Sequence, residues 1–239
     1  MSAPAGDTVR TERTFPRFTA GQRWEHGLLI LTFTVLLLTG LPQKFRDASW
    51  SRFLLSTPER VELVRFIHHT AAVAFLLEAA YHVGRGLVLL ARKRLSGALF
   101  PTMQDLRDAG QMIRYLLFLS PRRPRLGKYS FEQKFTYWFL FFGFGILIAS
   151  GLILWFPTFF TRFLPGGLVP AAKLAHSSEA LVSAIFVILW HFFHVHLERL
   201  NLSIFTGRLN EHDMRRHHAL EFERLTGESA SDESTGDGG

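Results

Sequence analysis

The chain has 239 residues, 48% of them hydrophobic, with 24 phenylalanines, no cysteine and a formal net charge of +7. Without cysteine it can form no disulfide, hold no thiolate-ligated iron–sulfur cluster and attach no c-type haem, so any such centre must belong to another chain. The basic surplus lies in short segments between apolar stretches and not in a soluble domain, which excludes nucleic-acid binding and assigns the charge to membrane topology and anionic-lipid contact.

In chain order, four apolar stretches run from Trp24 to Leu41, Val64 to Ala91, Phe135 to Phe156 and Leu174 to Leu197. Each is long enough to cross about 30 Å of hydrocarbon as a helix. The first reads as a retained span: no small-residue cleavage site follows Leu41, and Pro42-Gln43-Lys44-Phe45 comes directly after it. Residues 1–20 form a polar N-terminal segment, 21–225 the helical domain, and 226–239, rich in Ser, Gly, Asp and Glu, a tail expected to be disordered. The longest connection, Gly84 to Lys134, carries Asp105 and Asp108 and predicts an amphipathic surface helix around Pro101 to Leu119. The connection from Pro157 to Pro170 turns at Pro165-Gly166-Gly167.

Residues 1–23, the 84–134 connection and the stretch after Leu197 hold 4, 11 and 5 Lys/Arg, against 7 elsewhere. This bias predicts both termini on the cytoplasmic side of a multi-pass membrane chain. The expected fold is an all-α integral membrane protein, a bundle of four transmembrane helices.

Histidines inside such helices mark function by default. His68 and His82 are 14 residues apart on the second stretch; His176 and His191 are 15 apart on the fourth. At about 1.5 Å and 100° per residue, each pair spans roughly 21–22 Å with its rings within roughly 40–60° of one face. Two such helices offer histidines at two depths, an arrangement suited to stacked b haems. Basic residues keep register with them: Arg23, Arg65 and Lys173 each lie three before His26, His68 and His176, and Arg85 lies three after His82. They can meet haem propionates or snorkel to the headgroups. Phe142-Gly143-Phe144-Gly145 and Ala149-Ser150-Gly151 permit close approach of a helix or a macrocycle. Glu78, alone in the second stretch, is a proton relay or a neutral hydrogen-bonded carboxyl, and Glu179 is expected to orient His176. His196, five past His191, could form a third site with His82. His69, His212, His217 and His218 read as polar or solvated.

Arg23-Trp24-Glu25-His26, Arg65-Phe66-Ile67-His68, the Gly127–Lys134 run Gly-Lys-Tyr-Ser-Phe-Glu-Gln-Lys, Ala175-His176, Trp190-His191 and the run from Arg216 to Arg224 resemble the four-helix di-haem cytochrome b family. That family includes the membrane subunits of formate dehydrogenases and nickel–iron hydrogenases and the bacterial b561 cytochromes. The resemblance implies an outer haem on His68 and His176 and an inner haem on His26 and His191. It implies a quinone pocket at Tyr129, Ser130, Glu132 and Gln133. The chain departs from the pattern in its 15-residue spacing on the fourth helix, where the family has 14, and in carrying His82. Its 14 and 15 spacings resemble those of cytochrome b6, so His26 by family and His82 by spacing both stand as partners of His191. The implied function is a membrane subunit with two b haems, three if His82 and His196 form a site, carrying electrons between a quinone and an iron–sulfur or multihaem cytochrome c subunit. A free-standing b561-like carrier and a haem-free anchor or transporter are the alternatives.

Overall fold

The computed structural model describes residues 13–94, 96–197 and 201–230, with the side chains of 194–197 outside the description. The helices are α1 (Ala20–Lys44), α2 (Ser49–Leu54), α3 (Pro58–Ala91), α4 (Met103–Leu116), α5 (Phe131–Trp155), α6 (Pro157–Phe160), α7 (Leu168–Phe186), α8 (Ser203–Thr206), α9 (Glu211–His217) and α10 (Ala219–Thr226). α7 continues as a π-helical segment, Val187–Leu197, and two short strands are β1 (Thr14–Pro16) and β2 (Arg208–Asn210). The chain divides into two compact units. One comprises residues 21–97 and 135–202; the other comprises 1–20, 98–134 and 203–239.

The first unit is built on α1, α3, α5 and α7. Four helices, Ala20–Lys44, Pro58–Ala91, Phe131–Trp155 and Leu168–Phe193, are long and apolar enough to cross a membrane. Local chemistry fixes where α3 starts. Thr57 accepts from Arg60 N, Pro58 occupies the first turn without needing a donor partner, and Glu59 faces the positive end of the dipole. The apolar side chains point outward: Trp24 is 81% exposed and Phe66 68%. Outward apolar surface on helices whose backbone bonds are satisfied internally is what hydrocarbon selects. Two small polar residues are instead buried inside and bonded back to their own helices: Thr32 Oγ1 donates to Leu28 O at 3.0 Å and Ser150 Oγ to Ile146 O at 2.6 Å. Aromatic contacts fill the remainder, with Phe144 against Phe33 and Phe75 at 5.7 and 5.3 Å, and Phe139 against Phe186 at 4.2 Å.

The second unit gathers segments far apart in sequence. β1 pairs antiparallel with β2, Phe15 opposite Leu209. Leu209, Met214 and Phe222 form its core, with Phe15 and Ala230 packed against it. Arg13 bridges Glu211 and Glu228 at 2.7 and 2.9 Å, and the Arg215 guanidinium lies 4.2 Å from the Phe222 ring centre. The amphipathic helix expected around Pro101 to Leu119 is α4, closed by a capping box between Thr102 and Asp105. Asp105 also meets Lys134 at 2.8 Å. His218, expected to be solvated, is buried, its Nδ1 2.8 Å from Gly127 O. The boundary expected at 225/226 falls inside this unit: α10 runs to Thr226, Gly227 ends it in the left-handed conformation at φ 71°, and the description extends to Ala230. Residues 231–239 lie outside the described residues.

Candidate functional site

The histidines meet in the first unit as two cross-helix pairs. His68 of α3 faces His176 of α7, ring centres 6.4 Å apart at 73°. His26 of α1 faces His191 of the π segment, ring centres 6.2 Å apart at 46°. Two imidazoles holding one metal from opposite sides need about 2 Å per metal–nitrogen bond, and roughly 1 Å more from nitrogen to ring centre, or roughly 6 Å between centres. Both pairs have that separation. Among the described residues no group of three or more His, Cys, Asp or Glu could hold a metal ion. Two protein nitrogens per site suit a macrocycle that brings its own four.

The His68–His176 pair is held from behind. Thr39 Oγ1 donates to Val35 O at 2.7 Å, so its lone pair is left to accept from His68 Nδ1 at 2.8 Å. His176 Nδ1 sits 3.1 Å from both Leu147 O and Ser150 Oγ, whose hydroxyl proton is likewise spent on Ile146 O. In each ring the proton is thereby fixed on Nδ1 and Nε2 is left basic, as a ligand imidazole requires. Glycines make room: a Cβ at Gly151 would lie 3.2 Å from His176 Cε1, and one at Gly40 would lie 3.4 Å from His68 Cε1. Sequence reasoning missed Thr39 altogether and read Ser150 only as a small residue. Its available signal was a hydroxyl residue within an otherwise apolar run.

His82 does not meet His191. Its Nδ1 lies 2.9 Å from Glu25 Oε2 and its Nε2 3.1 Å from Tyr137 Oη, which engages both nitrogens. Arg85 pairs with the same Glu25 at 3.2 Å. Of the two partners left open for His191, the structure brings up His26. The 15-residue spacing has a local explanation: turns closed i→i+5 take in one more residue than α turns and wind less per residue, returning His191 toward the face of His176. The His196 side chain lies outside the described residues. His69 stacks on Trp155 at 4.3 Å.

Other expected residues lie elsewhere. Glu179 does not hold His176; its Oε1 accepts from Ser183 at 3.0 Å and rests where a Cβ on Gly143 would lie 2.5 Å away. Glu179 also closes one side of an apolar groove of about 350 Å³, lined by Phe135, Trp138 and Phe142 among others. Arg65 is exposed and pairs with Glu62 at 3.0 Å; Arg23 and Lys173 are exposed. Glu78 Oε2 accepts from Thr32 at 3.4 Å.

The Gly127–Lys134 run lies in the second unit. Ser130 and Gln133 cap α5 reciprocally, at 3.1 and 3.2 Å, and Gln133 Oε1 also accepts from Arg17 at 3.2 Å. Tyr129 lies under two cations, with Arg17 5.5 Å and Lys128 5.6 Å from its ring centre; Glu132 is half-buried. Burial pulls the Arg17 guanidinium below its usual range. Burial opposes ionisation of Asp105, but the bonds from Lys134 and Thr102 outweigh it and hold that carboxyl low.

Comparison with known proteins adds the family. The sequence profile of the prokaryotic cytochrome b561 family matches residues 17–207. The chain belongs to that family. It is therefore a multi-pass bacterial inner-membrane cytochrome b, an electron-transfer protein whose cofactor is b haem. This b561-family protein is 27% identical over 160 residues to the formate dehydrogenase cytochrome b556 subunit of Haemophilus influenzae, covering 67% of this chain and 62% of that subunit. It is 25% identical over 192 residues to the formate dehydrogenase cytochrome b556(fdo) subunit of Escherichia coli K12, 77% and 80% of the two chains. With the nitrate-inducible formate dehydrogenase cytochrome b556(Fdn) subunit of the same strain it shares 20% over 210 residues, 87% and 90%.

Proposed function

We propose that this cytochrome b is the di-haem membrane subunit of a respiratory oxidoreductase, linking a periplasmic iron–sulfur or multihaem partner to the quinone pool. The carrying observation is the pair of histidine pairs, each at the separation that two axial ligands of one metal need. His68 and His176 hold the outer haem, His26 and His191 the inner one, and Arg23, Arg65 and Lys173 serve the propionates from the water side. Bound there, the two haems supply one-electron carriers at two depths of the bilayer. Thr39 and Ser150 orient the outer ligands, while the phenylalanines between the pairs exclude water. Relatives that are formate dehydrogenase subunits support a redox-enzyme partner.

Tyr129, Glu132 and Gln133, at the cytoplasmic entry of α5, bind the quinone headgroup. A phenol and an amide offer hydrogen bonds to its carbonyls, and Glu132 exchanges the accompanying proton. The excess of Lys and Arg in residues 1–23, the 84–134 connection and the stretch after Leu197 supports cytoplasmic termini.

The test is haem per polypeptide, by pyridine haemochrome, on protein purified in mild detergent. Two haems are expected, with one lost in His68→Ala or His176→Ala and the other retained. A wild-type ratio of one would overturn the two-site reading. Co-purification with a larger redox subunit separates the complex from a free-standing carrier.

A further inference from the structure

One polar chain in the first unit takes no part in holding a cofactor. It begins at Arg85 and Glu25 and passes through the doubly bonded ring of His82, with Tyr137 on its far nitrogen; Glu78 lies one turn deeper on α3. Glu78 and His82 are four residues apart on one helix face, about 5–6 Å between Cβ atoms and within reach through one water. Beyond His82, Thr32 Oγ1 donates to Glu78 at 3.4 Å, and the layer then turns aromatic with Phe33, Phe75 and Phe144. Two carboxyl groups, an imidazole and a guanidinium inside a lipid-facing bundle are costly, and residues held there at such cost serve ion or proton movement.

We propose that Glu78 is a redox-linked proton acceptor, supplied from the inner end of the bundle through His82. The inference rests on the haem reading above. Oxidised bis-histidine haem carries a net positive charge at its core and reduced haem carries none. An ionised Glu78 is therefore balanced in the oxidised protein and uncompensated after reduction, in a medium where lone charge is expensive. On reduction, one proton from water at the inner end moves along the helix face that His82 and Glu78 share and is taken up by the Glu78 carboxylate, so one electron in is matched by one proton in. Tyr137 and Glu25 position the ring. The charged and titratable groups acting on Glu78 are Glu25 from α1 and His82 from α3; Arg85 and Tyr137 act on Glu25 and His82 in turn.

The experiment is a redox titration of both haems between pH 6 and 8 in the purified protein, with redox-difference infrared spectra of the same samples. Proton uptake on reduction makes the potential fall as pH rises. One haem of the wild type is expected to approach a tenfold change in equilibrium constant per pH unit, about 59 mV for one electron. In Glu78→Gln that slope should drop at least fivefold while haem content stays at the wild-type value, and the carboxyl C=O band that appears on reduction should vanish. Glu78→Asp should restore both. His82→Phe should keep the equilibrium slope but slow proton uptake after flash reduction at least tenfold. Two bound haems with pH-independent potentials, or a slope that survives Glu78→Gln, would overturn the relay alone. Protein that binds no haem would overturn the haem reading and the relay together.

Discussion

A methyl group added behind His176 or His68 is the sharpest probe of the haem site proposed there, because three glycines provide a graded series. At Gly151 a Cβ would sit 3.2 Å from His176 Cε1 and 3.5 Å from Nδ1; at Gly40 it would sit 3.4 Å from His68 Cε1; at Gly145 nothing lies within 4 Å. Carbon atoms prefer about 3.5–4.0 Å, so Gly151→Ala must push the His176 ring by a few tenths of an ångström. The ring cannot yield freely, since its Nδ1 is bonded at 3.1 Å to Leu147 O and to Ser150 Oγ on the same helix that would carry the new methyl. Overpacking of this kind costs about 1–3 kcal/mol, offset in part by about 0.8–1.0 kcal/mol from replacing glycine in a helix. A net loss of up to about 2 kcal/mol corresponds to roughly 30-fold weaker haem retention at the outer site. Gly151→Val should remove that haem outright. Gly40→Ala should lie near neutral and Gly145→Ala at or slightly above wild-type stability. Haem loss to apomyoglobin, followed by the outer-haem spectrum, measures the series. Equal retention in Gly145→Ala, Gly40→Ala and Gly151→Val would refute the placement of His176 as a ligand.

Three further outcomes are expected. His26→Ala should leave one haem per polypeptide while His82→Ala leaves two, since both His82 nitrogens are already engaged; haem content of the two variants compared side by side decides it. The double variant Glu132→Leu with Gln133→Leu should retain both haems and their reduction by dithionite yet slow reoxidation by a quinone analogue at least tenfold; wild-type kinetics would place the quinone elsewhere. In the second unit the hydrogen bond from Arg224 holds the Glu221 carboxyl below its usual range, and the bonds from Arg13 do the same for Glu211 and Glu228. Depressed folded-state values stabilise above the unfolded pKa of about 4.3, and that contribution is lost as pH falls through the folded values. Pepsin should therefore cut at the buried Phe222 faster at pH 3 than at pH 5, relative to an unfolded peptide control. Equal relative rates would show that these ion pairs do not hold the C-terminal segment.

The four spans were legible because hydrocarbon imposes a length and a composition that the sequence displays directly, and the predicted stretches coincide with helices of the structure, the third overrunning α5 by one residue, Phe156. The histidine register was legible for a related reason: spacing along one helix translates into depth and face by fixed geometry. Which histidines meet was not, because pairing between helices depends on how each is rotated about its own axis. That rotation is set by packing across helices, and His82 reads as a ligand until Glu25 and Tyr137 are seen to take both its nitrogens. The hydroxyls of Thr39 and Ser150 gain meaning only from a ring on another helix. The second unit was hidden for the same reason in stronger form. Its core joins Phe15 to Leu209 and Phe222 across nearly the whole chain, and contacts at that separation leave no periodic trace in the local sequence. Local chemistry thus determined the spans, their caps and the depth of each intramembrane histidine, while the bundle decided the partner of every ring, because a side chain's neighbour across a helix interface is a property of two rotations and not of one sequence.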